Sequence, residues 1–398
     1  MKKIIIMTGS MNVGGIEKAL IEMLKIIPYE KYDVTLLLEQ CEGVYLKDIP
    51  KEVQVITDDN IRYCLYSSRK QQLLNLLHKA QLVELFNMLF HQLAYRVTKN
   101  MCKYFKWQCS RMNMLENKYD IAIAYHNPFR FPGSYVINNI NADIKILWNH
   151  TDLKYFKEDF SYFEDEYSKY DYIYNVSESS KESLISRFPK LKSKMRVFYN
   201  IINSKEIAAK ADEYEPFKKS NKWILLTVGR LSDEKGQDRI PDIANILIKK
   251  GYSFEWYIVG DGNTREKIEK KIRQYKLEKY IFMEGNKSNP YPYMKACDIY
   301  VQTSWQEGFP MVIGEVLTFA KACVVTNVGG TMEYFQNENE VELVNENTNK
   351  YIADGIINLI DLRYNTVKNT LLSRNKSDLS SNMRFEKFIE EVYEEVKK

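Results

Sequence analysis

Along most of this chain, a short β-branched or aromatic run ends on a glycine or a polar cluster, and a helically spaced stretch follows. Residues 4–8 (IIIMT) lead into Gly9-Ser10-Met11-Asn12-Val13-Gly14-Gly15. Ile16, Ala19, Leu20, Met23, Leu24 and Ile27 then fall on one helix face. Residues 223–228 (WILLTV) precede Gly229-Arg230-Leu231 and a helix over 240–248, and 254–259 (FEWYIV) precede Gly260-Asp261-Gly262. Residues 34–39, 53–56, 121–125, 144–148, 173–176, 281–283, 299–302 and 322–326 read as further strands. Strands apolar on both faces, alternating with helices, predict an α/β protein with doubly wound parallel sheets. The first glycine turn is not GxGxxG, so it is a poor dinucleotide fingerprint. It is either a tight turn or a place where backbone approaches a phosphate or sugar.

A chain of 398 residues predicts two domains. The polar, lysine-rich stretch 203–221, with Pro216, is the expected boundary between 1–203 and 204–379. A tail helix over 384–396, within about 380–398, is expected to pack back on the first domain. The six cysteines and four histidines show no metal-ligand spacing, so no metal is expected. No uncharged run approaches a membrane span. Residues 1–8 read as a first strand, not a signal peptide. A net charge of +4 does not call for nucleic acid.

Residues 61–118 stand apart. Ten Lys or Arg face two acids, Glu84 and Glu116, a net +8, and leucines and aromatics are interleaved with no Pro or Gly. One or two long amphipathic helices are expected. They would lie on anionic lipid, or form an ordinary helical pair with solvated lysines. A nucleic-acid patch is a weaker third reading.

Open α/β sheets bind ligands beyond the carboxyl ends of their strands. His126-Asn127 follows 121–125 and His150 follows 144–148, which makes both histidines candidates, although a lone histidine is more often structural. Arg230 and Lys235 flank the turn after 223–228, where two cations suit a diphosphate. After 299–302 come Glu307-Gly308-Phe309-Pro310 and, eight residues on from Glu307, Glu315. Pro310 suits the first helical position. The two glutamates are either charges offsetting a helix dipole or acceptors for sugar and ribose hydroxyls.

Taken in order, Gly14-Gly15-x-Glu17, Val228-Gly229-Arg230-Leu231-Ser232-x-Glu234-Lys235-Gly236, Val259-Gly260-Asp261-Gly262, Glu307-Gly308-Phe309-Pro310 through Glu315, and Gly329-Gly330-Thr331-Met332-Glu333 resemble retaining glycosyltransferases of glycosyltransferase family 4. The resemblance spans nearly the whole chain. It is most specific over 223–335 and weakest over 61–118. It implies the GT-B fold, two Rossmann-like domains with an interdomain cleft, the first binding acceptor and the second nucleotide sugar. Arg230 and Lys235 would hold the donor diphosphate, Glu307 the sugar hydroxyls and Glu315 the ribose. Gly15, Gly229, Gly285, Gly308, Phe309 and Pro310 would complete the donor site. Gly14, His126 and Asn127 would lie on the acceptor side. His150 would steady positive charge on the transferred sugar. No cofactor is implied beyond a UDP- or GDP-sugar substrate. The implied setting is cell-surface or capsular polysaccharide assembly on a lipid-linked acceptor, at the cytoplasmic face of the membrane, with 61–118 in peripheral contact. The alternatives are a transferase acting on a small molecule or protein and, more remotely, a nucleotide-dependent dehydrogenase. One departure stands out: the interdomain segment reads Asn200-Ile201-Ile202-Asn203, where the family often has Asn-Gly-Val-Asp.

Overall fold

A computed structural model describes residues 1–78, 80–218, 221–373 and 388–392. The chain divides into two units, Met1–Tyr199 with Met383–Lys398, and Asn200–Asn382. The expected boundary stretch 203–221 therefore lies wholly in the second unit. There Ser204–Lys210 is a helix capped by Asn203, and Ile207 is buried. An Asn cap supplies what a purely compositional view of lysine-rich sequence overlooks.

The first unit contains β1 (Lys2–Thr8), β2 (Tyr32–Leu38), β3 (Gln54–Thr57), β4 (Lys118–Asn127), β5 (Asn141–Asn149), β6 (Tyr172–Asn175) and β7 (Met195–Val197). They form one sheet in the order β3-β2-β1-β4-β5-β6-β7, and every pair is parallel. Helix α1 (Gly15–Lys25) follows β1, with Glu17 in its first turn and Lys25 in its last, each favourable to the helix dipole. Ile4 to Met7 and Leu36 to Leu38 are fully buried, as strands covered on both faces require. Phe388 packs on Trp148, Tyr174 and Phe198, with ring centroids 4.9–5.5 Å apart. The rest of the expected tail helix lies outside the described residues.

Between β3 and β4 the structure corrects the expectation of one or two long helices. Among the described residues there are four: α2 (Asp59–Tyr66), α3 (Arg69–His78), α4 (Leu82–Thr98) and α5 (Met101–Ser110). Extended backbone at Ser67 ends α2. Left-handed backbone at Lys99 ends α4, and the Asn100 side chain accepts from the Lys103 N–H to start α5. Serine, lysine and asparagine make these breaks, so the absence of Gly and Pro did not imply continuity.

The second unit contains β8 (Trp223–Val228), β9 (Phe254–Val259), β10 (Ile281–Gly285), β11 (Ile299–Val301), β12 (Ala322–Thr326) and β13 (Glu342–Val344). The order is β10-β9-β8-β11-β12-β13, again all parallel. In each sheet the winding reverses once, between β1 and β4 and between β8 and β11. Open α/β sheets bind ligands beyond the carboxyl ends of the strands at such a reversal.

Candidate functional site

The turn after β8 is built from backbone. The Gly229 N–H donates to Val259 O and the Leu231 N–H to Asp261 O, both at 2.9 Å, and the Gly260 N–H donates to Gly285 O at 2.9 Å. Gly260 and Gly262 have φ of +142° and +158°. A side chain at either would fall on the carbonyl of Gly229 or Leu231. Glycine is thus required where the β9 turn supports the β8 turn. Gly285 closes β10 with φ +70°, so among these turns its role is to receive the Gly260 N–H.

Across the reversal, Lys235 Nζ donates to both Glu307 oxygens at 2.7 and 2.8 Å, and the Ser304 hydroxyl donates to Glu307 Oε1 at 2.7 Å. The Glu307 side chain is only 7% exposed, that of Lys235 28%. Lys235 comes from the segment after β8 and Glu307 from the segment after β11, so the pair ties together the ends of the two strands at the reversal. Arg230 is more exposed and pairs with Glu234 at 3.2 Å. Its carbonyl accepts from Gln237 Nε2 at 2.9 Å. Both cations thus rest against carboxylates. An incoming diphosphate would exchange one anionic partner for another instead of meeting bare charge.

The loop carrying Glu307 is clamped from behind. Arg239 is buried, lies 3.7 Å from the Trp305 ring centroid and donates to Asn347 Oδ1 (2.5 Å), Asn349 Oδ1 (2.8 Å) and Thr303 O (3.3 Å). The Ser304 carbonyl accepts from Asn347 Nδ2 and the Thr326 hydroxyl. Gly329, at φ +51°, lies against the carbonyl of Glu307, and the Gly330 N–H donates to Gly308 O at 2.9 Å. Phe309 stacks on Tyr334 at 4.1 Å. Pro310 is the N-cap of the helix Met311–Leu317, one place earlier than expected. Glu315 lies within that helix and is 4% exposed, which excludes a solvated dipole-offsetting charge. Ser304, Trp305 and Arg239 gave no signal in sequence beyond their nearness to Glu307 and Lys235.

In the first unit, Gly14 is the N-cap of α1 and the Glu17 carboxylate folds over it. Beside Gly15 there is open space. His126 lies within the last residues of β4 rather than past them, and His150 directly follows β5. Asn127 ends β4, and its side chain lies outside the described part of the structure. The β1–β4 reversal brings His126 next to Gly9, so that a side chain there would meet its Nδ1 at 3.3 Å.

His150 is 8% exposed and packs edge-on against Tyr125, ring centroids 4.5 Å apart. Its ring donates to the Tyr125 backbone, which leaves Nε2 buried with no partner among the described residues. Burial, then the neighbouring His126, pushes its pKa down to about 3. Burial and Arg130 push His126 down to about 4. Both imidazoles are therefore neutral near pH 7, and His150 Nε2 is an acceptor. Glu39, past β2, is a further buried group in this unit. Burial raises its pKa, against a 2.5 Å hydrogen bond from Tyr66 and the Arg130 charge.

The histidines make the fold acid-sensitive. Their folded pKa values lie below the ordinary ~6.5, so the unfolded chain binds more protons between pH ~6.5 and ~4. The stability they contribute is present above pH ~6.5 and is lost as pH falls through this window. At pH 5 each costs up to about 2 kcal/mol. Melting temperature should drop between pH 7 and 5, and less steeply in His126→Gln/His150→Gln. Identical slopes would refute the buried-neutral assignment.

Among the described residues no group of three or more His, Cys, Asp or Glu is placed to hold a metal ion, and no helix is long and apolar enough to cross a membrane.

Residues 210–374 match the family model Glycosyl transferases group 1. The chain is 31% identical over 189 residues to the N-acetylgalactosamine-N,N'-diacetylbacillosaminyl-diphospho-undecaprenol 4-alpha-N-acetylgalactosaminyltransferase of Campylobacter jejuni, covering 45% of this chain and 49% of that protein. It is 22% identical over 256 residues to the poly(ribitol-phosphate) alpha-N-acetylglucosaminyltransferase of Staphylococcus aureus, covering 62% and 50%. The chain thus spans about half the length of the curated relatives it matches. Among solved structures, Anabaena HepE in complex with UDP superposes with a TM-score of 0.68 at 17% identity, covering 99% of this chain and 100% of that one. An S. aureus TarM variant in complex with Fondaparinux, alpha-GlcNAc-glycerol and UDP superposes at 0.71 with 14% identity, covering 98% and 100%. With the two doubly wound parallel units, these likenesses establish the GT-B fold, and the matched stretch 210–374 lies within the second unit.

Proposed function

We propose that the protein is a glycosyltransferase that moves a hexose-type sugar from a nucleoside diphosphate to an acceptor hydroxyl with retention. The observation that carries this reading is the Lys235–Glu307 pair at the β8–β11 reversal, with Glu315 buried in the following helix. Lys235 and Arg230 hold the diphosphate and stabilise it as it leaves. Glu307, released from Lys235, accepts hydrogen bonds from the sugar hydroxyls, and Glu315 takes the ribose. Gly15, Gly229, Gly285 and backbone around Gly308, Phe309 and Pro310 complete the donor site.

In this reaction the bond from the anomeric carbon to the diphosphate oxygen breaks and one to the acceptor oxygen forms. The acceptor proton passes to the leaving diphosphate. Negative charge grows on the diphosphate, where the cations lie, and positive charge on the sugar. His150 is the group we assign to that positive charge. A neutral imidazole presenting a lone pair does not repel it. Gly14, His126 and Asn127 serve the acceptor.

The acceptor is a lipid-linked glycan in cell-surface polysaccharide assembly, at the inner membrane face, with residues 61–118 in contact with anionic lipid. The undecaprenol-linked substrate named for the Campylobacter relative supports this class, as does the Salmonella typhimurium relative named as a lipopolysaccharide galactosyltransferase. UDP is the first nucleotide to test, because the superposing HepE and TarM structures are named as UDP complexes.

The direct test is thermal stabilisation by UDP, GDP, their sugars and NAD. Ligand at ~100 times its dissociation constant adds about 2.7 kcal/mol, a rise of roughly 5–10 °C for a unit of this size. A rise with one nucleoside diphosphate and none with NAD is expected. No rise with any of them would overturn the donor assignment.

A further inference from the structure

Helix α4 is apolar on two sides, and among the described residues one of them is covered. Met88 is fully buried and Leu85 partly so, packed with Leu73 and Leu76 of α3 and with Tyr104 and Trp107 of α5. On the other side Leu82, Phe86, Leu89, Phe90, Leu93 and Val97 are 47–76% exposed. At 3.6 residues per turn these six span an arc of ~100° and a length of ~22 Å. Six large apolar side chains in one exposed stripe are more than scattered surface hydrophobics, and such a stripe marks an interaction face.

The charge around the stripe selects the occupant. Helices α3 to α5 hold a single acid, Glu84, while Arg69, Lys70, Arg96, Lys99, Lys103 and Lys106 are exposed. A second copy of the chain would bring these cations against their own kind. An anionic bilayer offers acyl chains to the stripe and headgroups to the cations.

We infer that α4 inserts its outward face, centred on Phe86, Phe90 and Leu93, into the interfacial layer of an anionic membrane. Helices α3 and α5 brace it from behind. This rests on the membrane contact proposed above and changes its nature. The binding energy comes from inserted apolar side chains, and the lysines supply attraction and orientation. Donor chemistry plays no part in it.

The test is flotation of the full chain with phosphatidylcholine vesicles with and without phosphatidylglycerol. The unaltered chain should float with the anionic vesicles. Phe86→Ser/Phe90→Ser/Leu93→Ser should bind at least ~10-fold more weakly, since each buried methylene counts. Lys103→Gln/Lys106→Gln should lose only the preference for phosphatidylglycerol. In Phe86→Trp, brominated lipid should quench the added emission, a readout that removes no apolar surface. If the serine variant floats unchanged while the glutamine variant does not, insertion is wrong and electrostatic contact survives. If the unaltered chain does not float, both readings fall. If sedimentation instead shows a dimer that the serine variant abolishes, without vesicle binding, the stripe is an interface between copies and the inference is overturned.

Discussion

Glu307→Ala is expected to lower transfer at least ~100-fold while leaving nucleoside diphosphate binding intact or tighter. Two effects follow from one deletion. The sugar loses a charged acceptor worth ~1.5–3 kcal/mol per hydrogen bond. Lys235, which spends both its contacts on Glu307, becomes available to phosphate. Glu307→Gln is the informative partner, because it preserves shape and the acceptor for Ser304 while removing the charge. Turnover by a sugar-transfer assay and nucleotide affinity by calorimetry separate the two effects. Unchanged turnover in Glu307→Ala would end the assignment of Glu307 to the transferred sugar.

Gly329→Ala should be nearly as damaging, from a position with no functional atom of its own. Its backbone is left-handed, and an added Cβ would point into the carbonyl of Glu307. The alanine can be housed only if the Glu307 peptide retreats, and the Gly330–Gly308 hydrogen bond holds it in place. Strain and overpacking together should cost about 2–4 kcal/mol, and turnover should fall by more than ~10-fold. Gly15→Ala, where there is open space, is the control for stability. A Gly329→Ala protein that melts and turns over normally would show that the 307 loop is not packed as described.

Sequence made the strand–turn–helix units legible because β-branched runs, glycines and helical spacing are local. It made the strand-end residues legible for the same reason. It did not reveal that Lys235 and Glu307, 72 positions apart, would meet, because that depends on β8 lying beside β11. Gly260, Gly262 and Gly329 were visible as glycines, but what each one approaches is a tertiary fact. Over 61–118 the apolar spacing was real, but the helix breaks at Ser67, Lys99 and Asn100 carry no Gly or Pro to announce them. Periodicity reports which residues share a face, not whether anything covers it. One side of α4, with Met88 and Leu85, is covered by neighbouring helices, while the side with Phe86, Phe90 and Leu93 is exposed. Near residue 203 a single Asn cap starts a short helix that lysine-rich composition alone does not show.

The clamp built on Arg239 bears on how such a protein can be altered. The loop from Thr303 to Pro310 looks like a cassette, short and bounded by a strand and a helix. Its backbone shape is nonetheless fixed by groups from elsewhere: Arg239 beneath Trp305, Asn347 and Thr326 on the Ser304 carbonyl, Gly329 against Glu307. A graft of 303–310 alone would carry the side chains into a new host and leave their geometry behind. The shape of this loop is therefore a property of four separated segments, and an exchange that moves fewer of them would not carry it.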